Sequence, residues 1–173
     1  MKKIALISHG CAKNLVDSEL ILGILAQNGY KVTLNEDETD IVIVNTCSFI
    51  CDAERESIGT ILELVEKGKK VIVAGCLAQK HPDELKAEIP EIAGIVGATD
   101  FNKIVDVVKS IDKDYVSEIS EKPNYIYPEN VERQQITMGA SSYIKIADGC
   151  NYRCGYCIIP YLRGDYHSRK KDS

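Results

Sequence analysis

The sequence lacks any apolar run approaching the roughly 20 residues that a membrane-spanning helix needs. In the N-terminal stretch MKKIALISHG the apolar run ends at polar Ser8 and His9, so it is too short for the hydrophobic core of a signal peptide. Basic residues are not in excess, because the net charge is −5, which argues against a broad nucleic-acid-binding surface. Internal repeats and low-complexity tracts are missing too. These absences favour a globular cytoplasmic protein that works without a membrane.

Seven cysteines are the most informative residues that the chain does have. A reducing cytoplasm disfavours structural disulfides, so clustered cysteines there are more often metal ligands or catalysts. The rest of the composition, 45% hydrophobic and 27% charged, is ordinary for a globular protein. A length of 173 residues is enough for one full domain and part of a second.

Apolar runs alternate with amphipathic stretches over residues 1–112. The runs predict five buried strands, at 3–8, 30–34, 40–46, 69–75 and 92–98. Apolar residues at helical spacing, or a proline at a first helical position, predict helices at 13–29, 53–68, 82–89 and 101–111. Buried strands that alternate with helices imply a parallel sheet covered on both faces. We therefore expect a doubly wound α/β domain with five strands. If their order is 2-1-3-4-5, the first, third and fourth strands are neighbours.

The pattern changes after residue 112. Residues 113–140 contain two prolines, many polar residues and little periodicity, which predicts a linker or an extended crossing segment. The stretch SSYIKIA at 141–147 predicts a new strand that leads into a cysteine-rich loop. The sequence thus divides into a domain at 1–112, a linker at 113–140 and the beginning of a second domain at 141–173.

Three cysteines share one position, just past the carboxyl end of a predicted buried strand. Cys11 follows ISHG, Cys47 follows VIVNT and Cys76 follows VIVAG. Ligands bind at this edge in open α/β sheets, and neighbouring strands lie only about 4.8 Å apart. We expect the three thiols to converge on one site, as ligands of zinc with a fourth partner or of an iron–sulfur cluster. Three buried thiols without a ligand are the simpler alternative.

Other polar residues near these strand ends have plainer interpretations. Cys51, close to a helix start, is interpreted as a partly buried free thiol. His9 is interpreted as a polar neighbour of Cys11, with a role as a metal ligand as the alternative. Asn45 has two open roles, as a hydrogen-bond donor to a bound cluster or as a cap of its loop. Near the end of the chain, Arg163 and Arg169 are interpreted as solvated charges on a tail, which in a longer protein would lie near the mouth of the second domain.

A second set of cysteines, Cys150, Cys154 and Cys157, lies in the stretch CNYRCGYC. Zinc ribbons present paired CxxC motifs and four ligands, whereas this stretch has three thiols and no second pair downstream. A loop this short can hold three corners of a 4Fe–4S cube and leave one iron open. An open iron can bind a substrate or cofactor directly.

The spacing CxxxCxxC after a strand resembles the motif of radical S-adenosylmethionine (SAM) enzymes, with Tyr156 at the aromatic position before the last cysteine. The resemblance implies that Cys150, Cys154 and Cys157 hold a 4Fe–4S cluster whose open iron binds SAM, and that Tyr156 belongs to the SAM site. It also implies that an electron from the cluster cleaves SAM to a 5′-deoxyadenosyl radical, so that the cofactor supplies the difficult chemistry.

The flanking stretch GCNYRCGYCIIPYLRGDYHSR resembles the methylthiotransferases, a radical SAM family with a second cluster in an N-terminal α/β domain. That cluster has three cysteine ligands, and Cys11, Cys47 and Cys76 match them through GCAKN, NTC and AGC. The resemblance therefore implies two 4Fe–4S clusters. It also implies that Asn14 and Asp17 shape the first cluster pocket, although an acid in a first helical turn is usually only a partner of the helix dipole.

Two branches of this family compete as the best match. GCAKNLVDSE and NTCSFICDAERESI resemble the RimO branch, which adds a methylthio group to the β-carbon of an aspartate in small-subunit ribosomal protein twelve. The other branch modifies carbon 2 of an adenosine in tRNA. His9, Ala12 and Cys51 depart from the pattern and remove no ligand. The resemblance implies a ribosomal protein substrate, or tRNA in the alternative, and an electron donor such as a flavodoxin or ferredoxin.

The resemblance also implies a radical SAM domain in the form of a partial (β/α) barrel, which needs roughly a hundred residues or more. Only its first strand and cluster loop fit into 141–173, so we expect a truncated barrel and a chain that is inactive by itself. A radical SAM transferase is the favoured interpretation. A non-catalytic iron–sulfur electron-transfer or scaffold module is one alternative, although such carriers use four ligands per cluster. A zinc-stabilised α/β protein is another.

Overall fold

The apolar runs of the sequence form one parallel sheet, as predicted. In this computed structural model the described residues are 2–124, 127–128, 130–137 and 140–171, so parts of the predicted linker, at 125–126, 129 and 138–139, lie outside them, as do residues 1 and 172–173. The strands of the sheet are β1 Lys3–Ser8, β2 Lys31–Thr33, β3 Ile41–Thr46, β4 Lys70–Gly75, β5 Gly94–Gly97 and β6 Val116–Glu118. The helices around it are α1 Ala12–Gln27, α2 Cys51–Glu66, α3 Cys76–Lys80, α4 Pro82–Glu88 and α5 Ile104–Ser110.

The strands follow the order β2-β1-β3-β4-β5-β6, and every neighbouring pair is parallel. The doubly wound α/β class is therefore confirmed. The strands that precede the three cysteines, β1, β3 and β4, are neighbours, as the order 2-1-3-4-5 requires. The predicted count of five strands is one too few, because β6 adds to the edge beside β5. Its three residues, VSE, include one apolar residue and none that is buried, so they carry no strand pattern in the sequence.

Alternate side chains of each central strand enter two separate hydrophobic clusters, because successive residues of a strand point to opposite faces. Ile41 and Ile43 pack on one face with the buried side of α1 and with α5. Val42 and Val44 pack on the other face with residues of α2, α3 and α4. Both faces of the sheet are covered, which explains why these strands are apolar without interruption.

The register of the sheet brings the carboxyl ends of the central strands to a common edge. Ser8 pairs with Asn45, and Thr46 pairs with Gly75. The residue after β3 is Cys47 and the residue after β4 is Cys76, so both leave the sheet at the same level. Helix α3, which was not predicted, begins at Cys76 itself.

The chain after residue 118 returns along α1. The backbone N–H of Gln134 donates to the carbonyl oxygen of Glu19 at 3.1 Å, and Val131 and Ile136 pack against the hydrophobic cluster that contains α1. A Cβ placed on Gly23 would lie 2.2 Å from the carbonyl oxygen of Glu132. The absence of a side chain at Gly23 thus lets this segment approach the helix.

The last described part of the chain forms a small antiparallel pair around one short helix. Strand β7 Ala147–Asp148 pairs with β8 His167–Ser168, and α6 Ile159–Arg163 lies between them. The strand predicted at 141–147 is therefore wrong except at its last residue, since 141–146 is not in strand conformation. Among the described residues, no helix is long and apolar enough to cross a membrane.

Candidate metal centre

Three cysteines at the carboxyl edge of the sheet surround a single cavity of about 660 Å³. Cys11 directly precedes α1, Cys47 follows β3, and Cys76 opens α3. The thiols of Cys47 and Cys76 belong to buried residues, whereas Cys11 is exposed. The structure thus brings together the three residues that the strand-end pattern selects.

Two glycines with positive φ allow the cysteine loops to approach one another. Gly10 has a φ of 93°, and a Cβ there would lie 2.6 Å from the Cβ of Cys47. Gly75 has a φ of 92°, and a Cβ there would lie 2.3 Å from Oδ1 of Asn45. Both positions therefore require glycine for its backbone freedom and for its lack of a side chain.

The remaining cavity wall suits a soft inorganic group. Besides the cysteines, the described lining residues are mostly apolar, and none of them is a carboxylate or histidine: Gly10, Ala12, Lys13, Phe49, Ile50, Ala53, Ile159, Leu162 and Arg163. Thiolate ligands select zinc and iron–sulfur clusters over hard cations, and an apolar shell controls solvent access to such a group. This donor set therefore fits a thiolate-bound centre.

The three thiols line one cavity. Within the part of the chain that the structure describes, no three His, Cys, Asp or Glu side chains are placed to hold a single metal ion.

Two asparagines connect the strand ends to α1. The side-chain Nδ2 of Asn45 donates to the backbone oxygen of Asn14 at 2.9 Å and to Oγ of Ser18 at 2.8 Å. Asn45 therefore fastens β3 to α1, and the two roles considered for it from the sequence stay predictions. Nδ2 of Asn14 donates to the backbone oxygens of Thr46, at 2.7 Å, and His9, at 3.2 Å.

A buried cluster of charges lies beside the cavity and joins distant parts of the chain. Lys145 and Arg163 both donate to the carboxylate of Asp17 and to that of Asp148. Arg163 is 2% exposed, so its interpretation as a solvated charge is wrong. Asp17, also buried, is an ion-pair partner of two cations rather than a partner of the helix dipole alone.

The charges of this cluster hold one another in the ionised state. Burial by itself lowers the pKa of Arg163, but the neighbouring Asp17, Cys76 and Asp148 outweigh it and keep that pKa well above its ordinary value. Burial raises the pKa of Asp148, yet Arg163, Lys145 and Lys13 bring it far below its usual range. Opposite charges at close range thus overcome desolvation.

One contact connects the charge cluster to the cysteine site. Nη2 of Arg163 lies 3.6 Å from Sγ of Cys76. Burial raises the pKa of the Cys76 thiol, and the positive charge of Arg163 opposes that increase. The guanidinium therefore favours the thiolate form, which is the form that binds metals.

The second cysteine set lies on a tight turn at the surface. Cys150 and Cys157 are half-buried and Cys154 is exposed. The N–H of Cys157 donates to the oxygen of Cys154 at 2.9 Å, and the N–H of Cys150 donates to the oxygen of Gly164 at 3.1 Å. Tyr156 is 94% exposed, and its role at a SAM site stays a prediction.

Cys51 and His9 stand apart from the three thiols that line the cavity. Cys51 is the first residue of α2 and is exposed, so its interpretation as a partly buried thiol is wrong. Nε2 of His9 lies 3.0 Å from Oγ1 of Thr60, and Nδ1 lies 3.6 Å from Oε1 of Glu56.

The fold and the cavity define the class: a doubly wound α/β protein with a three-thiol site at the carboxyl edge of its sheet. The family described as "Uncharacterized protein family UPF0004" matches residues 3–97, which contain all three of these cysteines. The chain belongs to this family.

Curated relatives extend the similarity across nearly the whole chain. A protein of Trichodesmium erythraeum (strain IMS101) is 48% identical over 98% of this chain and 39% of its own length. Proteins of Gloeothece citriformis (strain PCC 7424) and Gloeobacter violaceus (strain ATCC 29082 / PCC 7421) are 52% and 50% identical over 96% and 98% of this chain, each again over 39% of its own length. All three carry the name "Ribosomal protein uS12 methylthiotransferase RimO". The chain thus spans about two fifths of the length of these relatives.

Proposed function

We propose that this chain forms the N-terminal part of a radical SAM methylthiotransferase that adds a methylthio group to the β-carbon of an aspartate in ribosomal protein uS12. The names of the relatives support the methylthiotransferase activity and the ribosomal substrate. In this proposal each cysteine set holds one 4Fe–4S cluster. The ligands of the first are Cys11, Cys47 and Cys76, and those of the second are Cys150, Cys154 and Cys157.

The observation that carries the proposal is the shared cavity. Three thiols from separate strand ends line it, and so do Ile159, Leu162 and Arg163 of α6. Helix α6 begins two residues after Cys157. One short helix therefore connects the loop with the CxxxCxxC spacing to the wall of the three-thiol site. An enzyme that passes a group between two centres needs them on one rigid support.

Bound clusters and SAM supply the electron, the radical and the sulfur chemistry. The residues of the chain would bind and orient these groups and shield them from solvent. Cys11, Cys47 and Cys76 would provide three thiol ligands. A further metal atom of the cluster would have no ligand from these three cysteines. The apolar lining residues would limit the access of water to the centre, and Tyr156 is the proposed SAM contact on the second loop.

The proposal assigns residues 1–112 to the N-terminal methylthiotransferase domain, 113–140 to a linker and 141–173 to the beginning of the radical SAM domain. An electron donor such as a flavodoxin or ferredoxin then completes the reaction in the cytoplasm. In the alternative the substrate is tRNA, modified at carbon 2 of an adenosine. The aspartate target, SAM and the clusters rest on the resemblance together with the cysteine geometry.

Counting iron tests the two proposed cluster sites. After anaerobic reconstitution, we expect about eight iron atoms per chain, since each 4Fe–4S site holds four. The variants Cys11→Ala/Cys47→Ala/Cys76→Ala and Cys150→Ala/Cys154→Ala/Cys157→Ala should each retain about four. The substitution Cys51→Ser changes a cysteine outside both sets. It is the matched control and should leave the iron count unchanged. About one tightly bound zinc in place of iron would establish a structural metal site instead.

Turnover with the full-length protein tests the activity and the substrate together. We expect a methylthio group on uS12 when SAM and a reductant are present, and none on a tRNA stem-loop. Product on the tRNA alone would select the alternative substrate. Absence of product on both, with both clusters loaded and SAM leaving their spectra unchanged, would favour an electron carrier.

A further inference from the structure

Asn14 lies where the three cysteine loops meet. Its Nδ2 donates to backbone oxygens of His9 and Thr46, which belong to the loops of the first two thiols. Its Oδ1 lies 3.7 Å from Sγ of Cys76 and accepts a hydrogen bond from Nη2 of Arg163 at 2.7 Å. Asn14 is fully buried, so these partners satisfy its polar atoms without solvent.

Arg163 contacts Asn14 from a distant part of the sequence, since it lies six residues after Cys157. Its Nη2 contacts both Oδ1 of Asn14 and Sγ of Cys76, while its Nη1 donates to Asp17 and Asp148. The planar guanidinium can serve these partners at once because its donors are fixed in a fork. A lysine at the same place would have one charged centre to divide among them.

The cost of burying this charge argues for more than packing. Moving a guanidinium out of water is expensive even when it is paired, and apolar residues of similar size often fill such a place with no loss of stability. The charge here is desolvated and lies against a thiol of the first cysteine set. In a medium of low dielectric constant its field on that thiol, and on any group the thiol holds, is strong.

We propose that Arg163, oriented by Asn14 and Asp17, is a positioning residue of the first cysteine site that couples it to the loop of the second. It fixes the orientation of the Cys76 ligand and places a positive charge beside it. Because Arg163 belongs to α6, a change in the position of this helix also changes the distance between the positive charge of Arg163 and the first site. The inference rests on the proposed function, since it assigns a role toward the cluster that Cys11, Cys47 and Cys76 would hold.

The test isolates the first cluster in the full-length protein. In the background Cys150→Ala/Cys154→Ala/Cys157→Ala, the substitutions Arg163→Met, Arg163→Lys, Leu162→Ala and Arg55→Met are compared by two measurements. One is the rate of iron loss to a chelator, and the other is the reduction potential from a titration followed by electron paramagnetic resonance. Arg55 is exposed on α2 and serves as the surface control.

We expect Arg163→Met to lose iron about tenfold faster, the lower end of the effect of removing a residue that orients a metal ligand. Its reduction potential should shift to more negative values, because the added electron no longer meets the guanidinium. Arg163→Lys should restore the potential and still lose iron faster than the parent, since one nitrogen then replaces the two, Nη1 and Nη2, that bind Asp17 and Asn14 separately. Leu162→Ala loosens the same helix without removing charge and should not shift the potential in the negative direction.

The outcomes separate this inference from the proposed function. If the parent variant without the Arg163 substitution holds iron, and Arg163→Met changes neither the rate of iron loss nor the reduction potential, the inference is overturned. The proposed function is then intact. If both Arg163→Met and Leu162→Ala lose iron faster and neither shifts the reduction potential, Arg163 acts only through the packing of α6. That result also overturns the inference. A parent that holds no iron at its first site would overturn both.

Discussion

At the scale of single residues, Gly10 and Gly29 offer a matched pair. Both have positive φ, 93° and 82°, but only Gly10 has a neighbour where a side chain would lie, since a Cβ on Gly29 meets nothing within 4 Å. Alanine strains the backbone at either position by roughly 1–2 kcal/mol. Gly10→Ala also drives its Cβ against Cys47. We expect Gly10→Ala to lose iron from the first site and Gly29→Ala to retain it, as measured by iron counts and urea unfolding. Equal retention would contradict the tight approach of the two loops.

Asp112 gives a prediction about pH. Hydrogen bonds from Lys2 and Lys70 hold its pKa at about 2, below its ordinary value of 3.8. A carboxyl group with a lowered folded-state pKa stabilises the protein above its unfolded-state pKa, and this contribution is lost as pH falls toward the folded-state value. The Tm difference between the parent and Asp112→Asn should therefore be largest above pH 4 and vanish toward pH 2.

The expected Tm difference is small, because Asp112 is exposed and salt screens such pairs. Asp114→Asn, at another exposed carboxylate of the same turn, is the control and should show less pH dependence. A difference between the parent and Asp112→Asn that stays constant from pH 7 to pH 2 would mean that the two lysines do not act through charge.

Single residues also show what the sequence could reveal about the site. Cys11, Cys47 and Cys76 were found because each ends a buried strand, and that pattern is local. The role of Arg163 was missed because its partner Asp17 lies 146 residues away. A charged residue near the end of a chain looks solvated until the fold places a buried carboxylate against it.

At the scale of elements, Gly23 of α1 and Gly59 of α2 lie in helix interiors but have opposite surroundings. A Cβ on Gly23 would lie 2.2 Å from the oxygen of Glu132, whereas a Cβ on exposed Gly59 would meet nothing within 4 Å. We expect Gly23→Ala to lower the free energy of unfolding by roughly 1–3 kcal/mol through overpacking. Gly59→Ala should raise it by about 0.5–1 kcal/mol through helix propensity. Urea unfolding measures both, and stabilisation by Gly23→Ala would show that the crossing segment does not contact α1.

The two long helices were predictable, whereas two of the short elements were not. Helices α1 and α2 each repeat their apolar spacing over several turns, and their predicted bounds lie within two residues of those observed. Strand β6 and helix α3 have three and five residues, which is too short for a period to emerge. Both exist because the neighbouring sheet supplies hydrogen bonds and apolar contacts. The strand predicted at 141–147 fails for the converse reason, since Ile144 and Ile146 are exposed and have no apolar layer to enter.

At the scale of the whole molecule, two acidic residues of α1 hold separate parts of the chain that follows the sheet. Asp17 binds Lys145 and Arg163. Glu19, two residues later, accepts hydrogen bonds from the backbone N–H of Ile136 at 3.0 Å and from Oγ1 of Thr137 at 3.2 Å. A single helix thus organises both the crossing segment and the second cysteine loop, although the two acids face different partners.

Hydrogen exchange can separate these two attachments. Asp17→Asn leaves two buried cations short of a carboxylate, a change that costs roughly 3–5 kcal/mol. We expect faster exchange at the N–H of Cys150, which bonds Gly164, because the loop around α6 loses its anchor. Glu19→Gln should accelerate exchange at Ile136 and leave Cys150 unchanged.

The central strands provide the internal reference for this experiment. Amides of β3 and β4 should keep their protection in both variants, since these strands are buried in the middle of the sheet. If Asp17→Asn accelerated exchange equally in the strands and in the loop around α6, the molecule would open as one unit. The second cysteine loop would then be an integral part of the sheet domain, and a division near residue 140 would have no basis in stability.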